Sequence, residues 1–475
     1  MIVPQRVQLE YGDATMEVDL PDSAVVVDPG PHPNDPVPLA DPVEATRQAL
    51  DHPLDSPPIA GLVRPGSKVL IAFPDRVKGG TQETAHRRVT IPLLLDRLTT
   101  AGVAERDITL VCAIGLHRKN SRDEFHEYLG DEIVDRLPED RLVNHDPEDP
   151  DGIVSLGVTD HGDVVEVNRA VVEADLAIMI GHSQGNPYGG YSGGYKMPCT
   201  GLTTWRSIRC HHTPGTMYRD DFVPASSGSH FRHQLTHIGR KIESAMKQPF
   251  FTVDAVLDSQ SRQVAVAAGA PAAVEQACWP IAARRTDRQL DTEKADVLVL
   301  GMPRSFHYGP GMGSNPVLML QAIGSSITRA AAALKPGAAV ICASVCDGWF
   351  NDEWFPAYRE VYERYQQCTH PTEMQRFEDE LSTRPDYIHS FRQEYGYHPF
   401  HAFSMLYMGG IALNQARATY IAGAEAPGFA RGMGCIPVRA FDDAVDRVRE
   451  DIGRDPHMLV IPALSKPQVH LRAGA

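Results

Sequence analysis

The sequence predicts an α/β protein with two α/β domains, mostly parallel sheets and an active-site cleft between the domains. Short apolar runs alternate with segments of helical periodicity along the 475 residues, which is the pattern of strand–helix–strand units. A chain of this length exceeds what one hydrophobic core usually holds. We place the boundary beside the polar segment 291–294, which gives an N-terminal domain of residues 1–288 and a C-terminal domain of residues 289–475.

The N-terminal domain is predicted to build its sheet from short apolar or alternating runs. The predicted strands are residues 6–11, 16–20, 68–73, 108–113, 142–143, 164–167 and 177–180. The predicted helices are residues 45–50, 91–101, 122–129 and 168–174. Residues 28–42 are rich in proline and indicate a surface connector. Residues 226–285 are predicted to be mainly helical.

The C-terminal domain repeats the strand–helix pattern. Its predicted strands are residues 295–300, 339–344, 418–421 and 458–461. Its predicted helices are residues 316–334 and 441–452, and residues 350–397 form a further helical region rich in charge and aromatic side chains. Lys335, Pro336 and Gly337 are typical of a helix stop.

Composition excludes several classes of function. The formal net charge of −16 argues against a nucleic-acid partner, whose phosphates need a basic face. The N-terminus lacks the pattern of a signal peptide, and no apolar run approaches the roughly 20 residues of a membrane helix. The eight cysteines form no Cys-x-x-Cys motif, so neither a zinc ribbon nor a redox dithiol is indicated. We therefore expect a cytoplasmic protein without a membrane partner.

A glycine-rich loop is the strongest local signal for a binding site. The apolar run 177–180 leads into a segment with five glycines before Lys196, and His212 follows sixteen residues later. Glycines let a backbone approach a ligand closely and leave N–H groups available for a phosphate or carboxylate. Asp75 and His117 also follow predicted strands directly. Because ligands gather at the carboxyl ends of parallel strands, we expect these side chains to converge on one crevice.

These motifs together resemble the lactate racemase family. The resemblance rests on Ser192-Gly193-Gly194-Tyr195-Lys196, on the histidine pair His211-His212, on the segment 113–118 and on Pro74-Asp75, and it runs with gaps from about Ala49 to the C-terminus. It implies a nickel-pincer nucleotide (pyridinium-3-thioamide-5-thiocarboxylic acid mononucleotide with nickel) attached covalently at Lys196. Asp75, Ser192, Gly193 and Gly194 would then contact the cofactor.

The resemblance also implies a metal ligand. His212 occupies the position of the family's protein ligand to nickel, and the cofactor supplies the remaining donors of a square-planar site. The two neighbouring histidines lie near the end of a helix capped by Thr203 or Thr204, so only one of them can face the metal. His211 is then a supporting residue, and Cys210 is a softer competitor.

His117 occupies the position of one of the family's two proton-transferring histidines. A neutral imidazole near pH 7 is suited to removing a hydroxyl proton. The position of the second base holds Asn186, which cannot carry a proton. The side chains that could substitute for it are His182, His211, Tyr188 and Tyr191.

The substrate-binding positions also depart from the family. Lys78 stands where the family has an arginine, and Arg87 and Arg88 are rivals for that role. In the second domain Gln321 matches the family in kind, and Ser325 stands at the position of its lysine. The additional loop residues Arg304, His307 and Tyr308 are predicted to line the pocket. These changes indicate a substrate larger than lactate, or a polyol.

The resemblance therefore implies a racemase or epimerase of a 2-hydroxy acid or related polyol, which works by proton-coupled hydride transfer. A hydride-transferring oxidoreductase with the same cofactor, or a catalytically silent homologue that binds it, remain alternatives because of Asn186. The expected partners are the small-molecule substrate and the enzymes that mature the cofactor.

Overall fold

A computed structural model describes residues 5–27, 35–306, 308–464 and 469–474. The first elements are β1 (Gln5–Gly12), β2 (Ala14–Leu20), β3 (Val25–Val26), α1 (Pro42–Asp51), β4 (Val69–Pro74), α2 (His86–Thr100), β5 (Ile108–Ala113), α3 (Arg122–Leu129), α4 (Asp131–Arg136), β6 (Leu142–Asn144), β7 (Ile153–Val158), β8 (Val164–Asn168), α5 (Arg169–Glu173) and β9 (Leu176–Ser183). The middle elements are β10 (Gly185–Asn186), β11 (Gly190–Tyr191), α6 (Lys196–Gly201), α7 (Trp205–His211), α8 (Pro214–Met217), α9 (His230–Glu243), β12 (Phe251–Leu257), β13 (Gln263–Gly269), α10 (Pro271–Thr286) and β14 (Asp287–Leu290).

The last elements are β15 (Ala295–Pro303), β16 (Ser305–Phe306), β17 (Gly309–Pro310), α11 (Pro316–Ala330), β18 (Leu334–Ala343), α12 (Tyr358–Tyr365), α13 (Glu378–Ser382), α14 (Pro385–Gln393), α15 (Phe400–Gln415), β19 (Thr419–Ala422), α16 (Pro427–Gly432), β20 (Ile436–Val438), α17 (Phe441–Ile452), β21 (Met458–Ile461) and β22 (His470–Ala473). The predicted α/β fold with mostly parallel sheets is confirmed.

A six-stranded sheet carries the strands that precede the candidate site. Its order is β13-β12-β9-β4-β5-β6, and every neighbouring pair is parallel except β12 with β13. Strands β4 and β9 are buried along their whole length, as expected for central strands covered on both faces. The carboxyl ends of β4, β5 and β9 lie side by side, so the residues that follow them meet at one edge.

An eight-stranded sheet forms the second layer. β15 lies at its centre, where it pairs in parallel with β18, β21 and the end of β1, and β18 continues to β19 and β20. The hairpin of β1 and β2 therefore joins the sheet built mainly by residues beyond 295. The proposed division at residue 288 stays a prediction.

The hydrophobic core ties the two sheets together. One large buried cluster includes Met179 from the first sheet, Leu298 from the second, and side chains of α11 and α15. A second cluster, with Ile71 and Phe73, lies under the other face of the six-stranded sheet. Helices α11 and α15 pack closely because Gly324 faces the backbone of Met408, where an added Cβ would lie 2.1 Å from the carbonyl oxygen. This helix pair covers the carboxyl edge of the first sheet.

Three local predictions were wrong. Residues 226–285 contain β12 and β13 between two helices, and β12 pairs in parallel with β9 while β13 forms the edge of the sheet. Helix α11 ends at Ala330, and β18 already begins at Leu334. Helix α15 was missed because it is buried on nearly every side and so has no polar face. The expected connector at residues 28–42 lies partly outside the described residues.

The described residues also allow statements about membrane-spanning helices and about the cysteines. Among the residues that the structure describes, no helix is both long and apolar enough to cross a bilayer. All eight cysteines are free thiols, and six of them are buried.

Candidate active site

A cavity of about 490 Å³ lies where the carboxyl ends of β4, β5 and β9 meet helices α11 and α15. The first sheet contributes the loops that follow those three strands, and the second layer closes the opposite side. The residues predicted from the sequence that line it are Asp75, Lys78, His117, His182, Asn186, Tyr188, Ser192, Gly193, Lys196, His212, Tyr308, Gln321 and Ser325. The expected convergence on one crevice is confirmed.

His117 and Asp75 form a hydrogen-bonded pair in the cavity wall. Nδ1 of His117 lies 2.6 Å from Oδ2 of Asp75, so the ring donates from Nδ1 to the carboxylate and keeps its lone pair on Nε2. Burial alone would raise the pKa of the Asp75 carboxyl, but the adjacent His117, with Lys78 and Arg87, lowers it below the usual value. Asp75 is therefore ionised at neutral pH.

Arg87 holds the aspartate turn in place. Its side chain is 1% exposed, and its guanidinium donates to the carbonyl oxygens of Pro74 (3.3 Å), Asp75 (2.9 Å), Gly80 (2.7 Å) and Lys78. These bonds gather the loop after β4 around one cation. Arg87 is therefore occupied by backbone and orders the loop that carries Asp75 and Lys78.

Two buried carboxylates anchor the glycine loop. The N–H of Gly194 donates to Asp254 over 2.8 Å, and the N–H of Tyr195 donates to Glu275 over 3.0 Å. Glu275 also pairs with the buried Arg232. A Cβ at Gly193 or Gly194 would lie 2.2 or 2.0 Å from the same carboxylates, and both glycines have positive φ. The N–H of Gly194 is thus used for the loop itself and is not available for a phosphate, contrary to the expectation from the sequence.

Lys196 projects its amine into the cavity from the first residue of α6. The side chain is buried, and Nζ lies 5.1 Å from the ring centre of Phe231 and 5.6 Å from that of Tyr188. The amine makes no hydrogen bond or ion pair with any residue that the structure describes. Burial, with the charges of Lys78 and Arg232, holds the pKa of Lys196 well below its usual value. These surroundings favour a neutral, nucleophilic amine.

His212 shares its neighbours with Lys196. Its ring stacks on Tyr188 with centroids 5.3 Å apart, and it lies 5.8 Å from Phe231. Burial, together with His211 and Lys196, holds the pKa of His212 well below its usual value, so the imidazole is neutral. Its Nδ1 lies 2.7 Å from Nδ1 of His211. One of the two atoms donates and the other accepts, which fixes the tautomers of both rings together.

Asn186 stands at the position where the lactate racemase family has its second base. Oδ1 of Asn186 accepts from the N–H of Tyr188 over 2.8 Å in the turn between β10 and β11. Burial, with the nearby basic side chains of Lys78, His86, Arg87 and Lys196, lowers the pKa of His182 to about 3, so this ring is a weak base. The hydroxyl of Ser192 donates a hydrogen bond to the backbone carbonyl of His182 over 2.8 Å.

Tyr308, Gln321 and Ser325 are polar side chains of the second layer that line the cavity. The Tyr308 ring meets His117 edge to face at 5.7 Å, and burial raises the pKa of the Tyr308 hydroxyl. Oε1 of Gln321 is buried without a hydrogen-bond partner among the described residues, and Ser325 donates to the carbonyl of Ala322. Gln321 is therefore the side chain of this group that offers a free acceptor.

Several predicted residues lie elsewhere. Arg304 does not line the cavity, because it pairs with Asp13 (2.7 Å) and Asp347 (2.8 Å) at the edge of the second sheet. Tyr191 stacks on Trp279 outside the cavity, and Cys210 accepts from the N–H of Val164. Arg88 also does not line the cavity and faces Gly130. His307 lies outside the described residues.

The cavity residues that were not anticipated from the sequence include His401, Arg285 and Arg329. His401 on α15 lies 5.6 Å from His117, and its Nδ1 is 2.7 Å from the Tyr358 hydroxyl. Arg285 and Arg329, near the carboxyl ends of α10 and α11, also line the cavity. No local motif marks these positions, because they reach the cavity only through the packing of distant helices.

The donors of the chain itself do not form a multidentate metal site. Within the ranges that the structure covers, no group of three or more His, Cys, Asp or Glu side chains is placed to hold a metal ion. The site therefore offers isolated donors, of which His212 is the one beside Lys196.

Comparison with known proteins gives a consistent result. Residues 11–221 match the family model for the lactate racemase N-terminal domain. A lactate racemase from Lactiplantibacillus plantarum is 24% identical over 228 residues, which is 48% of this chain and 50% of that protein. A lactate racemase from Thermoanaerobacterium thermosaccharolyticum is 24% identical over 169 residues, which is 36% of this chain and 38% of that protein. The sequence matches thus span half or less of these relatives.

Structural comparison extends over the whole chain. The lactate racemase apoprotein from Thermoanaerobacterium thermosaccharolyticum superimposes with a TM-score of 0.70 over 99% of this chain and 100% of that one, at 17% identity. A structural-genomics protein from Thermotoga maritima superimposes with a TM-score of 0.53 over 93% and 99% of the two chains, at 14% identity. At these identities the likeness shows a shared fold.

Proposed function

We propose that this chain, a divergent member of the lactate racemase family, is a racemase or epimerase of a 2-hydroxy acid or related polyol that works with a nickel-pincer nucleotide. The observation that carries the proposal is the shared position of Lys196 and His212. Both side chains contact Tyr188 and Phe231 in the cavity that also contains the His117–Asp75 pair.

The residues of the cavity fit such a cofactor. A covalent bond at a lysine requires a neutral amine, and the buried Lys196, which has no hydrogen-bond or ion-pair partner among the described residues, meets that requirement. A metal that takes most of its donors from the cofactor needs a single neutral imidazole from the protein, which His212 supplies. The cavity volume of about 490 Å³ lies within the usual range for small-molecule sites.

His211 supports the tautomer of His212 that a metal requires. Nε2 of His211 is buried and makes no hydrogen bond with any described residue, and we propose that it carries the proton of this ring. Nδ1 of His211 is then an acceptor, and Nδ1 of His212 donates to it. The lone pair of His212 consequently resides on Nε2, where it can bind a metal.

When bound, the cofactor supplies a hydride acceptor in its pyridinium ring. The residues of the chain handle the proton and the substrate. Nε2 of His117 takes the hydroxyl proton while the carbinol carbon becomes a planar carbonyl, and the ionised Asp75 stabilises the imidazolium that forms. Return of the proton to the oxygen, with reduction on the other face of the carbon, gives the opposite stereoisomer.

The remaining polar groups orient the substrate. Lys78 provides a cation in the cavity next to Asp75, and Gln321 provides an acceptor and a donor. Tyr188 and Tyr308 form a wall whose hydroxyls stay protonated at neutral pH, because burial raises the pKa of both. The buried walls limit access of water to the reacting carbon.

Asn186 favours a second candidate function, in which the enzyme releases a ketone and acts as an oxidoreductase. The low pKa of His182 weakens it as a substitute base, whereas His401 lies beside His117 on the same wall. If no second base acts, the oxidised product can leave before reduction on the other face. Quantifying the 2-oxo product against the inverted stereoisomer distinguishes the two reactions.

The proposal is tested by producing the chain together with the enzymes that mature the cofactor. We expect an intact mass increased by the nucleotide and one nickel per chain. In Lys196→Ala the covalent mass increase disappears, and in His212→Ala nickel is lost while the organic adduct stays. An unmodified mass and no nickel in the wild type would contradict the cofactor assignment.

A further inference from the structure

Two arginines form a cationic part of the cavity that neither the family motifs nor the mechanism uses. Arg285 lies in the last turn of α10, and Arg329 lies in the last turn of α11. Both line the cavity, and Arg285 is 7% exposed. They come from the two layers of the fold and bring two cationic side chains to the cavity, whose lining also includes Asp258.

Both arginines lack a partner among the residues that the structure describes. No hydrogen bond or ion pair joins either guanidinium to any residue in the ranges 5–27, 35–306, 308–464 and 469–474. A buried charge without a partner is costly, and arginines inside proteins are normally paired with carboxylates or backbone carbonyls. Arg87 and Arg232 of this chain follow that rule, each with several acceptors. Arg285 and Arg329 depart from it.

Their placement at the carboxyl ends of two helices explains how the fold tolerates them. The negative end of a helix dipole favours a cation by about 0.3–1 kcal/mol, which offsets only part of the cost of burial. Burial, with the nearby Arg285, lowers the pKa of Arg329 to about 9, so the side chain is still charged at neutral pH. The charge of Arg285 acts on Arg329, and an anion bound by both side chains would relieve this repulsion.

Different charges surround the arginine pair and the reacting groups, and Tyr308 is a residue whose pKa is affected by both Arg329 and Asp75. The charges that act on Arg285 come from Arg288, Asp35 and Asp258. The charge of Lys78 acts on Asp75, His182, Lys196 and His212. The cavity thus has one cationic region beside His117 and a second one at Arg285 and Arg329.

We infer that Arg285 and Arg329 form an anion-binding subsite that takes a phosphate monoester or a carboxylate of the molecule bound in the cavity. The planar guanidinium offers two parallel N–H donors, which match the paired oxygens of these groups. The anion is carried either by a nucleotide that occupies the cavity or by a second acidic group of the substrate. In the second case the substrate class is a hydroxy acid with two anionic groups.

The subsite is tested on the purified apoprotein, without any cofactor or turnover. Inorganic phosphate is titrated at constant ionic strength against chloride, with binding followed by calorimetry and by thermal unfolding. We expect saturable binding and a higher Tm in the wild type. Arg285→Gln and Arg329→Gln each weaken phosphate binding about ten- to hundredfold, as expected for a lost charge-assisted hydrogen bond. Arg136→Gln, which removes an arginine paired with Glu105 outside the cavity, leaves binding unchanged.

Stability without phosphate separates a ligand-binding role from a structural one. Arg285→Gln and Arg329→Gln should unfold at the wild-type Tm or above it, because neither substitution breaks a hydrogen bond or ion pair with a described residue. Arg329→Lys keeps the positive charge but lacks the two parallel N–H donors of a guanidinium, and this variant should bind phosphate more weakly than the wild type. The inference is overturned if phosphate stabilises the wild type no more than chloride does, or if it stabilises both Gln variants equally.

Two pairs of probes identify the source of the anion. Nicotinate mononucleotide is compared with the nucleoside that lacks the phosphate, and a hydroxydicarboxylic acid is compared with its monocarboxylic analogue. A preference within one pair that disappears in Arg329→Gln assigns the subsite to that ligand. Because this preference is measured by binding alone, the subsite can stand where the racemase proposal fails, and the reverse also holds.

Discussion

Nδ1 of His117 lies 2.6 Å from Oδ2 of Asp75, and both side chains line the same cavity. The pair directs the lone pair of His117 to Nε2 and places a negative charge behind the ring. Replacing Asp75 by Asn removes that charge and allows the wrong tautomer. We expect Asp75→Asn to lower kcat for stereochemical interconversion by about 10²–10⁴-fold, with the nickel content of the protein unchanged.

The chain offers a matched control for this prediction. His126 and Asp131 form a similar pair, 2.8 Å apart, at the surface of the first layer. Asp131→Asn should leave kcat unchanged. A wild-type kcat in Asp75→Asn would show that the carboxylate does not assist His117.

The buried amine of Lys196 should destabilise the apoprotein. Its pKa is held below the usual value, so folding at neutral pH disfavours the charged form that the unfolded chain prefers. Lys196→Met removes this cost and should raise the Tm of the apoprotein by about 1–3 °C, measured by calorimetry. Lys247→Met, at an exposed lysine paired with Asp175, should leave the Tm unchanged. A lower Tm for Lys196→Met would mean that the amine supports the fold.

The glycine loop depends on space as well as on backbone conformation. Gly194 has φ +54°, and a Cβ would lie 2.0 Å from a Glu275 oxygen that Arg232 and the N–H of Tyr195 already hold. Gly453 has φ +70° with open space around it. Gly453→Ala should lower the free energy of unfolding by about 1 kcal/mol, from backbone strain alone.

Gly194→Ala should cost about 2–4 kcal/mol, because the crowding adds to the strain. Denaturant unfolding of both variants gives the comparison. Equal decreases in the free energy of unfolding for the two substitutions would show that the Glu275 carboxylate can move away from the added methyl group at little cost. The loop would then be held less tightly than the hydrogen bonds indicate.

Asp254 should make stability depend on pH. Burial raises its pKa to about 7, although the Gly194 N–H and the Ser183 hydroxyl favour the ionised form. The unfolded chain has a pKa of about 3.9 for this group. Its contribution is therefore fully present below about pH 4 and is lost as the pH rises to about 7. The free energy of unfolding of the wild type, relative to Asp254→Asn, should fall by on the order of 2–4 kcal/mol over that range. A difference that is constant with pH would contradict the assignment.

The strands that carry the candidate site could be predicted because their signals are local. β4, β5 and β9 are continuous apolar runs that end in polar residues, so Asp75, His117 and the glycine loop were placed correctly at one edge. β12 and β13 were missed although β12 (FTVDAVL) is rich in aromatic and β-branched residues, because its partner β9 is distant in sequence. Tertiary pairing decides such segments.

The far wall of the cavity could not be predicted for the same reason. His401, Arg285 and Arg329 belong to helices whose orientation depends on the packing between layers. The sequence also does not show which arginines are paired with an acceptor in the folded chain. Arg304 shows the opposite error. Because its loop follows a strand, Arg304 was predicted to line the cavity. Its side chain instead pairs with Asp13 and Asp347 at the edge of the sheet.

The most direct test of the account follows one carbon–hydrogen bond. A single enantiomer of a 2-hydroxy acid, deuterated at C2, is incubated with protein that carries nickel and the Lys196 adduct, across a panel of mono- and dicarboxylic substrates. We predict that one substrate loses its stereochemical purity while the deuterium stays on C2, and that His117→Ala abolishes this conversion. Loss of the deuterium to solvent during inversion, or unchanged stereochemistry of every substrate with the adduct present, would contradict the account.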